Sequence, residues 1–167
     1  VAENLALALA RGQRRGLRWA VTSQKVRLFR EELARLGLGL ENRLNDKVGL
    51  PTGGQRQALS LLMATITRPE VLLLDEPTAN LDPRTAQLIG DLTAKWVREH
   101  RLTTLMVTHN LEQAIRLGDR LIMMHEGKIL FEVSGREKQE LTIDGLRKAF
   151  TRVRREDFVY DRAVLAD

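Results

Sequence analysis

The stretch Val71-Leu72-Leu73-Leu74-Asp75-Glu76-Pro77-Thr78-Ala79-Asn80-Leu81-Asp82 decides how the rest of the chain is read. Its apolar run leads straight into two adjacent carboxylates. A run this short, Leu-rich and without alternation predicts a strand buried on both faces. Pro77 cannot donate to a sheet ladder, so the strand ends by Glu76. Asp75 and Glu76 then stand at the carboxyl end of a strand, which is where open α/β sheets bind ligands. A carboxylate there suits a Mg2+ held through water, and its neighbour suits the polarising of an attacking water. The plainer alternative is a strand ending in two solvated acids before a turn, so the flanking sequence has to decide.

Upstream lies Leu50-Pro51-Thr52-Gly53-Gly54-Gln55-Arg56-Gln57. Its glycines open a helix predicted to run to about Thr67, apolar on most sides. A hydroxyl and two glycine N–H groups at a helix start form an anion site, because the amides and the helix dipole face the ligand together. Taken alone, the same residues also read as an ordinary loop and cap. Further upstream, residues 2–10 read as a helix. Ser23 reads as the cap of a helix over 24–36 that Gly37 and Gly39 close. Residues 40–50 form a short connection carrying Glu41, Asn42, Arg43 and Asp46.

Downstream, Asp82-Pro83 starts a helix to about His100, with Asp as cap and Pro in the first turn. Leu88, Ile89, Leu92 and Val97 are its predicted inward positions. Thr103–Thr108 reads as a second buried strand ending at His109. A histidine at a strand end is most often structural. As a neutral imidazole beside the first strand's carboxylates, it also suits a terminal phosphate or the attacking water. A short helix over 111–118 follows. Glu126-Gly127 then marks a hairpin between strands 120–125 and 128–133. From Ser134 the chain is polar and reads as partly helical. The basic stretch Arg11–Arg18 and the tail residues Arg147, Lys148, Arg152, Arg154 and Arg155 read as solvated faces.

Composition narrows the choices. The chain has 167 residues and 43% hydrophobic content, enough for a real core. No apolar run reaches the ~20 residues that span a bilayer. With no cysteine, disulfides and thiolate metal sites are excluded. A net charge of +5 with 4% aromatic residues argues against a nucleic-acid stacking platform.

In order, these motifs resemble the ATP-binding subunit of ABC transporters, over roughly residues 1–135. Leu50–Gln55 is similar to the family's signature motif, Leu72–Glu76 to its Walker B strand, Ala79–Asp82 to its D-loop, and His109 to its switch histidine. The resemblance implies an α/β, P-loop NTPase-like fold: a parallel sheet with flanking helices and a helical signature subdomain, its N-terminal part missing. The division it implies is a signature subdomain over 1–67, the back part of the core sheet over 68–135, and a helical tail over 136–167. The family's phosphate-loop strand lies between the strands of 104–107 and 120–125, so these two are not expected to share a ladder.

Further implications concern ATP and Mg2+. Asp75 would hold Mg2+, Glu76 would be the base or water-orienting group, and His109 would contact the γ-phosphate. Thr52, Gly53, Gly54 and Gln55 would serve the ATP of a second subunit, and Asp82 would couple the two sites. The implied partners are that second ATP-binding subunit, a copy or close homologue, and transmembrane permease subunits. The implied location is the cytoplasmic face of the cell membrane.

Two departures stand out. Pro51-Thr52 replaces the family's Leu-Ser, which keeps the hydroxyl but removes an N–H and an apolar anchor. The G-x-x-x-x-G-K-[ST] phosphate loop is missing from the 167 residues. The chain therefore reads as the back part of the domain, beginning after the glutamine loop. That gap also supports a second reading, a non-catalytic piece that docks on a partner. A third, an ABC-type ATPase outside transport, would bring long coiled-coil arms, and no sustained heptads occur.

Overall fold

The computed structural model describes residues 1–12 and 20–151. Most of the basic stretch after Gly12 and the arginines from Arg152 on lie outside the described residues. Two units separate, Val1–Val107 and Thr108–Asp167.

The first unit runs α1 (Ala2–Leu9), α2 (Ser23–Arg35), α3 (Gly53–Thr65), β1 (Val71–Asp75), α4 (Pro83–His100) and β2 (Thr103–Val107), with a 3-10 turn at Leu40–Asn42. The cap of α2 is Thr22 rather than Ser23: its Oγ1 accepts from the N–H of Lys25 at 3.4 Å. Sequence alone cannot separate two adjacent hydroxyls; backbone geometry does, since Thr22 is extended and Ser23 is already helical. Gly37 and Gly39 take φ of 67° and 71°, the left-handed region in which a side chain would be strained.

The helices meet around Phe29, Leu33, Leu40, Leu59, Leu62 and Ile89, all fully buried. Each such side chain contributes ~1.5–3 kcal/mol by leaving water. A polar stitch crosses this core. The indole N–H of Trp96 donates to Thr65 Oγ1 at 2.9 Å, and that hydroxyl donates to the carbonyl of Leu61 at 2.8 Å. On α4 the buried seam is Ile89, Thr93 and Trp96, one turn apart. Leu88 is 51% exposed, against the inward position expected for it, because it falls about 100° around the helix from Ile89.

β1 and β2 pair in parallel, from Val71 opposite Thr103 to Asp75 opposite Val107, with α4 as the crossover. The expectation of strands buried on both faces is corrected here. Leu72 and Leu74 turn into the helical core. The pleat sends Leu73 and Leu105 the other way, where they are 70% and 58% exposed, flanked by exposed Val71 and Val107. An unalternating apolar run describes what the strand tolerates, and in this unit the helices cover one face only.

The second unit contains α5 (Leu111–Arg116), β3 (Arg120–His125), β4 (Lys128–Ser134) and α6 (Gly135–Gln139), then helical residues 143–151. β3 and β4 form an antiparallel hairpin with an irregularity at Met123/Met124. Glu126 and Gly127 both have positive φ, which matches the twist of a tight two-residue turn. Leu121, Val133 and Leu146 form its small core. β1–β2 and β3–β4 are separate sheets.

Candidate functional site

At the end of β1 the chain turns abruptly. Asp75 is the last paired residue and is exposed. Glu76 donates its N–H to the carbonyl of Val107 at 3.0 Å, and its own carbonyl accepts from Ala79 at the same distance. Glu76 has φ of 46°. A non-glycine residue in that region costs roughly 1–2 kcal/mol. Such a cost persists where the surroundings overdetermine the backbone. Here the Val107 bond on one side and buried Pro77 and Thr78 on the other hold the strained residue in place. The two carboxylates are thus adjacent but differently set: Asp75 ends the pleat, and Glu76 is redirected by a left-handed step.

The Thr52–Gln55 turn is built by hydrogen bonds. Thr52 caps α3: its Oγ1 accepts from the N–H of Gln55 at 3.3 Å. The Gln55 carbonyl oxygen returns to the N–H of Thr52 at 3.0 Å, closing a capping box. The other end of the Gln55 amide donates to the carbonyl of Leu38 at 2.9 Å. Arg43 adds a third bond, Nη1 to Gln55 Oε1 at 3.2 Å, while its Nε holds Asp46 at 2.8 Å. Gln55 is therefore engaged within its own unit. Thr52 itself is exposed, and the first N–H groups of the helix have no carbonyl a turn behind them. Pro51 does not cost the turn its anchor, contrary to expectation. It is fully buried and fills the place itself, and its carbonyl accepts from Arg56 Nη1 at 2.8 Å, while Leu50 is 64% exposed.

The glycines of this turn are pressed against the segment after Asn80. A Cβ on Gly54 would lie 2.6 Å from Thr85 Cγ2, and one on Gly53 would lie 3.1 Å from Leu81 Cδ2. Asp82 caps α4, accepting from the N–H of Thr85 at 3.0 Å. Hydrogen bonds from Thr85, side chain first and backbone second, hold its carboxyl below the usual value of 3.8. Thr52, Gly53, Gly54 and Asp82 thus come from two helix starts that pack on each other. His109 follows β2 in the second unit and is exposed.

Among the described residues no three or more His, Asp or Glu side chains converge as a metal cage. Mg2+ is commonly held by one or two carboxylates together with substrate phosphates and water, and a lone exposed Asp75 at a strand end fits that mode. Sequence reading missed Arg43 and Asp46 as parts of this site. Their signal was present only as a basic and an acidic residue three positions apart in a connecting segment.

The fold is that of an ATP-binding cassette. A solved cassette structure, an ATP-binding cassette of an ABC transporter in its ADP conformation, superposes with a TM-score of 0.67 at 24% identity, covering 82% of this chain and 56% of that one. The dimeric post-hydrolysis cassette MJ0796, bound to ADP and Pi, matches at 31% identity with a TM-score of 0.61, covering 80% and 55%. The family profile described as ABC transporter matches residues 2–79. The tyrosine transport ATP-binding protein of Clostridioides difficile is 45% identical over 150 residues, 90% of this chain and 59% of that protein. The aliphatic sulfonates import ATP-binding protein SsuB of Burkholderia ambifaria is 36% identical over 132 residues, 79% of this chain and 37% of the relative. Across 90% of its length the chain is thus similar to an ATP-binding protein of this transporter family. It spans little more than half the length of the first of these relatives, and less of the second.

Proposed function

We propose that these residues are the back part of the ATP-binding and ATP-hydrolysing component of an ABC transporter, which powers the passage of a solute across a membrane. The observation that carries the reading is the end of β1. Two adjacent carboxylates leave a parallel strand, and the second is held in a strained left-handed step beside the neighbouring strand's last carbonyl. In this reading Asp75 holds Mg2+, which neutralises developing charge on the phosphates when bound. Glu76 accepts a proton from, or orients, the attacking water, and His109 contacts the γ-phosphate. Thr52, Gly53 and Gly54 present their donors to an ATP held mainly by a second ATP-binding subunit. Gln55 shapes that turn, and Asp82 carries the α4 cap against which it packs.

The partners in this reading are the second subunit and membrane permeases, with the protein lying on the cytoplasmic face. No helix among the described residues is long and apolar enough to cross a membrane. Relatives named for tyrosine, aliphatic sulfonate and phosphate transport differ in cargo. That fits a component whose cargo is chosen by other subunits.

The test is Glu76→Gln in a protein that joins these residues to a phosphate-binding loop. ATP binding should persist, and turnover should fall about a thousandfold, as when a group acting mainly in the transition state is lost. Turnover within about threefold of wild type would remove Glu76 from the catalytic role. The 167-residue chain alone should release no more phosphate from Mg-ATP than its own Glu76→Gln control. The neighbouring carboxylates repel ATP unless cations offset them, and no cradle lysine stands in the sequence.

A further inference from the structure

The bonds around Gln55 give a role to a residue that the reading above leaves unused. Gln55 has one carboxamide, and both of its ends are occupied. The oxygen accepts from Thr52 N–H and from Arg43 Nη1, and the nitrogen donates to the Leu38 carbonyl. Arg43 is itself aimed. Its Nε donates to Asp46 Oδ2 at 2.8 Å, and both side chains are about a third exposed, at 33% and 34%. The segment carrying Arg43 is anchored by Leu40, which is fully buried. It is held again where the backbone N–H of Ala2 donates to the Leu44 carbonyl at 2.9 Å. A rigid planar guanidinium on the oxygen side and the Leu38 carbonyl on the nitrogen side together fix which end of the amide faces Thr52. Were that amide to flip, its NH2 would meet the Thr52 N–H donor and the capping box would open.

We infer that Arg43, backed by Asp46, is a positioning residue for the Thr52–Gln55 turn, keeping the Thr52 hydroxyl and the first amides of α3 set to receive an anionic group. The functional half of this inference rests on the reading that the turn faces a nucleotide phosphate. The structural half does not.

The experiment therefore has two arms. In the 167-residue chain, hydrogen exchange is followed by NMR for wild type, Arg43→Ala and Arg43→Lys. Arg43→Ala should speed exchange at the Thr52 and Gln55 backbone amides about tenfold, the loss expected when a charge-assisted hydrogen bond is removed. Exchange at the Trp96 indole should stay at the wild-type rate, which separates a local effect from loss of fold. Arg43→Lys keeps one charged donor and should recover part of the protection. Unchanged exchange at Thr52 and Gln55 in Arg43→Ala overturns the inference.

In the ATPase that contains these residues, Arg43→Ala should raise the KM for ATP about fivefold or more and leave kcat within about twofold, with partial rescue by Lys. A fall in kcat at constant KM overturns the functional half. A wild-type ATPase without turnover would sink the proposed function instead, while the exchange arm would still decide the role of Arg43.

Discussion

The two ends of the candidate site are built by opposite means. The Thr52–Gln55 turn is over-connected: a capping box, a guanidinium, a backbone carbonyl from residue 38 and two glycines pressed against α4 all fix it. The Asp75–Glu76 strand end is instead fixed through its backbone, at a cost in strain. It hangs on one ladder partner, carries a strained glutamate and continues a sheet face whose Leu73 and Leu105 are open. A turn that only presents donors is completed by its own unit. The strand end leaves Asp75 exposed and holds half-buried Glu76 in a left-handed step, at a cost in local stability.

Substitutions can break or sharpen this contrast. The largest effect on stability is expected at Gly54. An added methyl group would sit 2.6 Å from Thr85 Cγ2, so Gly54→Ala should destabilise the chain by about 1–3 kcal/mol through overpacking, read from the midpoint of urea unfolding. An unchanged midpoint would mean that α3 and α4 yield easily and that the turn is softer than its contacts suggest. Next comes Thr52→Ala, which removes the cap oxygen and should cost ~1 kcal/mol.

Glu76→Gly should move the other way. It frees a left-handed residue from its strain and should leave stability equal or raise it by up to about 1 kcal/mol, while abolishing turnover in the ATPase. A clear loss of stability would show that Glu76 supports the fold, and the contrast would fail. The smallest effect is expected on the open face. Leu73→Ser should shift the unfolding midpoint by no more than about 0.5 kcal/mol, since the side chain gives up little burial.

Acid sharpens the comparison further. The Asp82 carboxyl titrates below its usual value in the folded chain, because Thr85 hydrogen-bonds the charged form. Its capping contribution is therefore present at neutral pH and above about 4. It is lost as pH falls through the lowered folded value. Asp82→Asn, which keeps a cap acceptor without a charge, should flatten that part of the stability profile. Unfolding midpoints measured between pH 2 and pH 6 would check it, and a wild-type profile already flat there would contradict the assignment.

Most elements were legible because each carries its own punctuation. The glycines after α2, the Asp82-Pro83 start of α4 and the Glu126-Gly127 turn are local signals with local causes. The parallel partner of β1 was also readable, since two short apolar runs flank one helix. What stayed hidden depends on neighbours distant in sequence. Whether Leu73 is covered depends on which layers surround the strand, and the run VLLLD looks the same either way. The brace on Gln55 joins residues 38, 43 and 55. Its members have no shared period, so no window of sequence reveals them. The inward position expected for Leu88 failed for a smaller reason: a helix stripe is read only to the nearest residue, and one residue is about 100°.

The hydrogen bond from Glu76 to Val107 also sets an order of events during synthesis. The hydrogen bonds joining Leu38, Arg43, Thr52 and Gln55 all involve residues up to Gln55, so they can close soon after that residue leaves the ribosome. The carbonyl that shapes Glu76 arrives roughly thirty residues after it. At ~5–20 residues per second, this is an interval of a few seconds. For that interval Asp75 and Glu76 exist as ordinary flexible acids, and the strain at Glu76 arises only when the second strand docks.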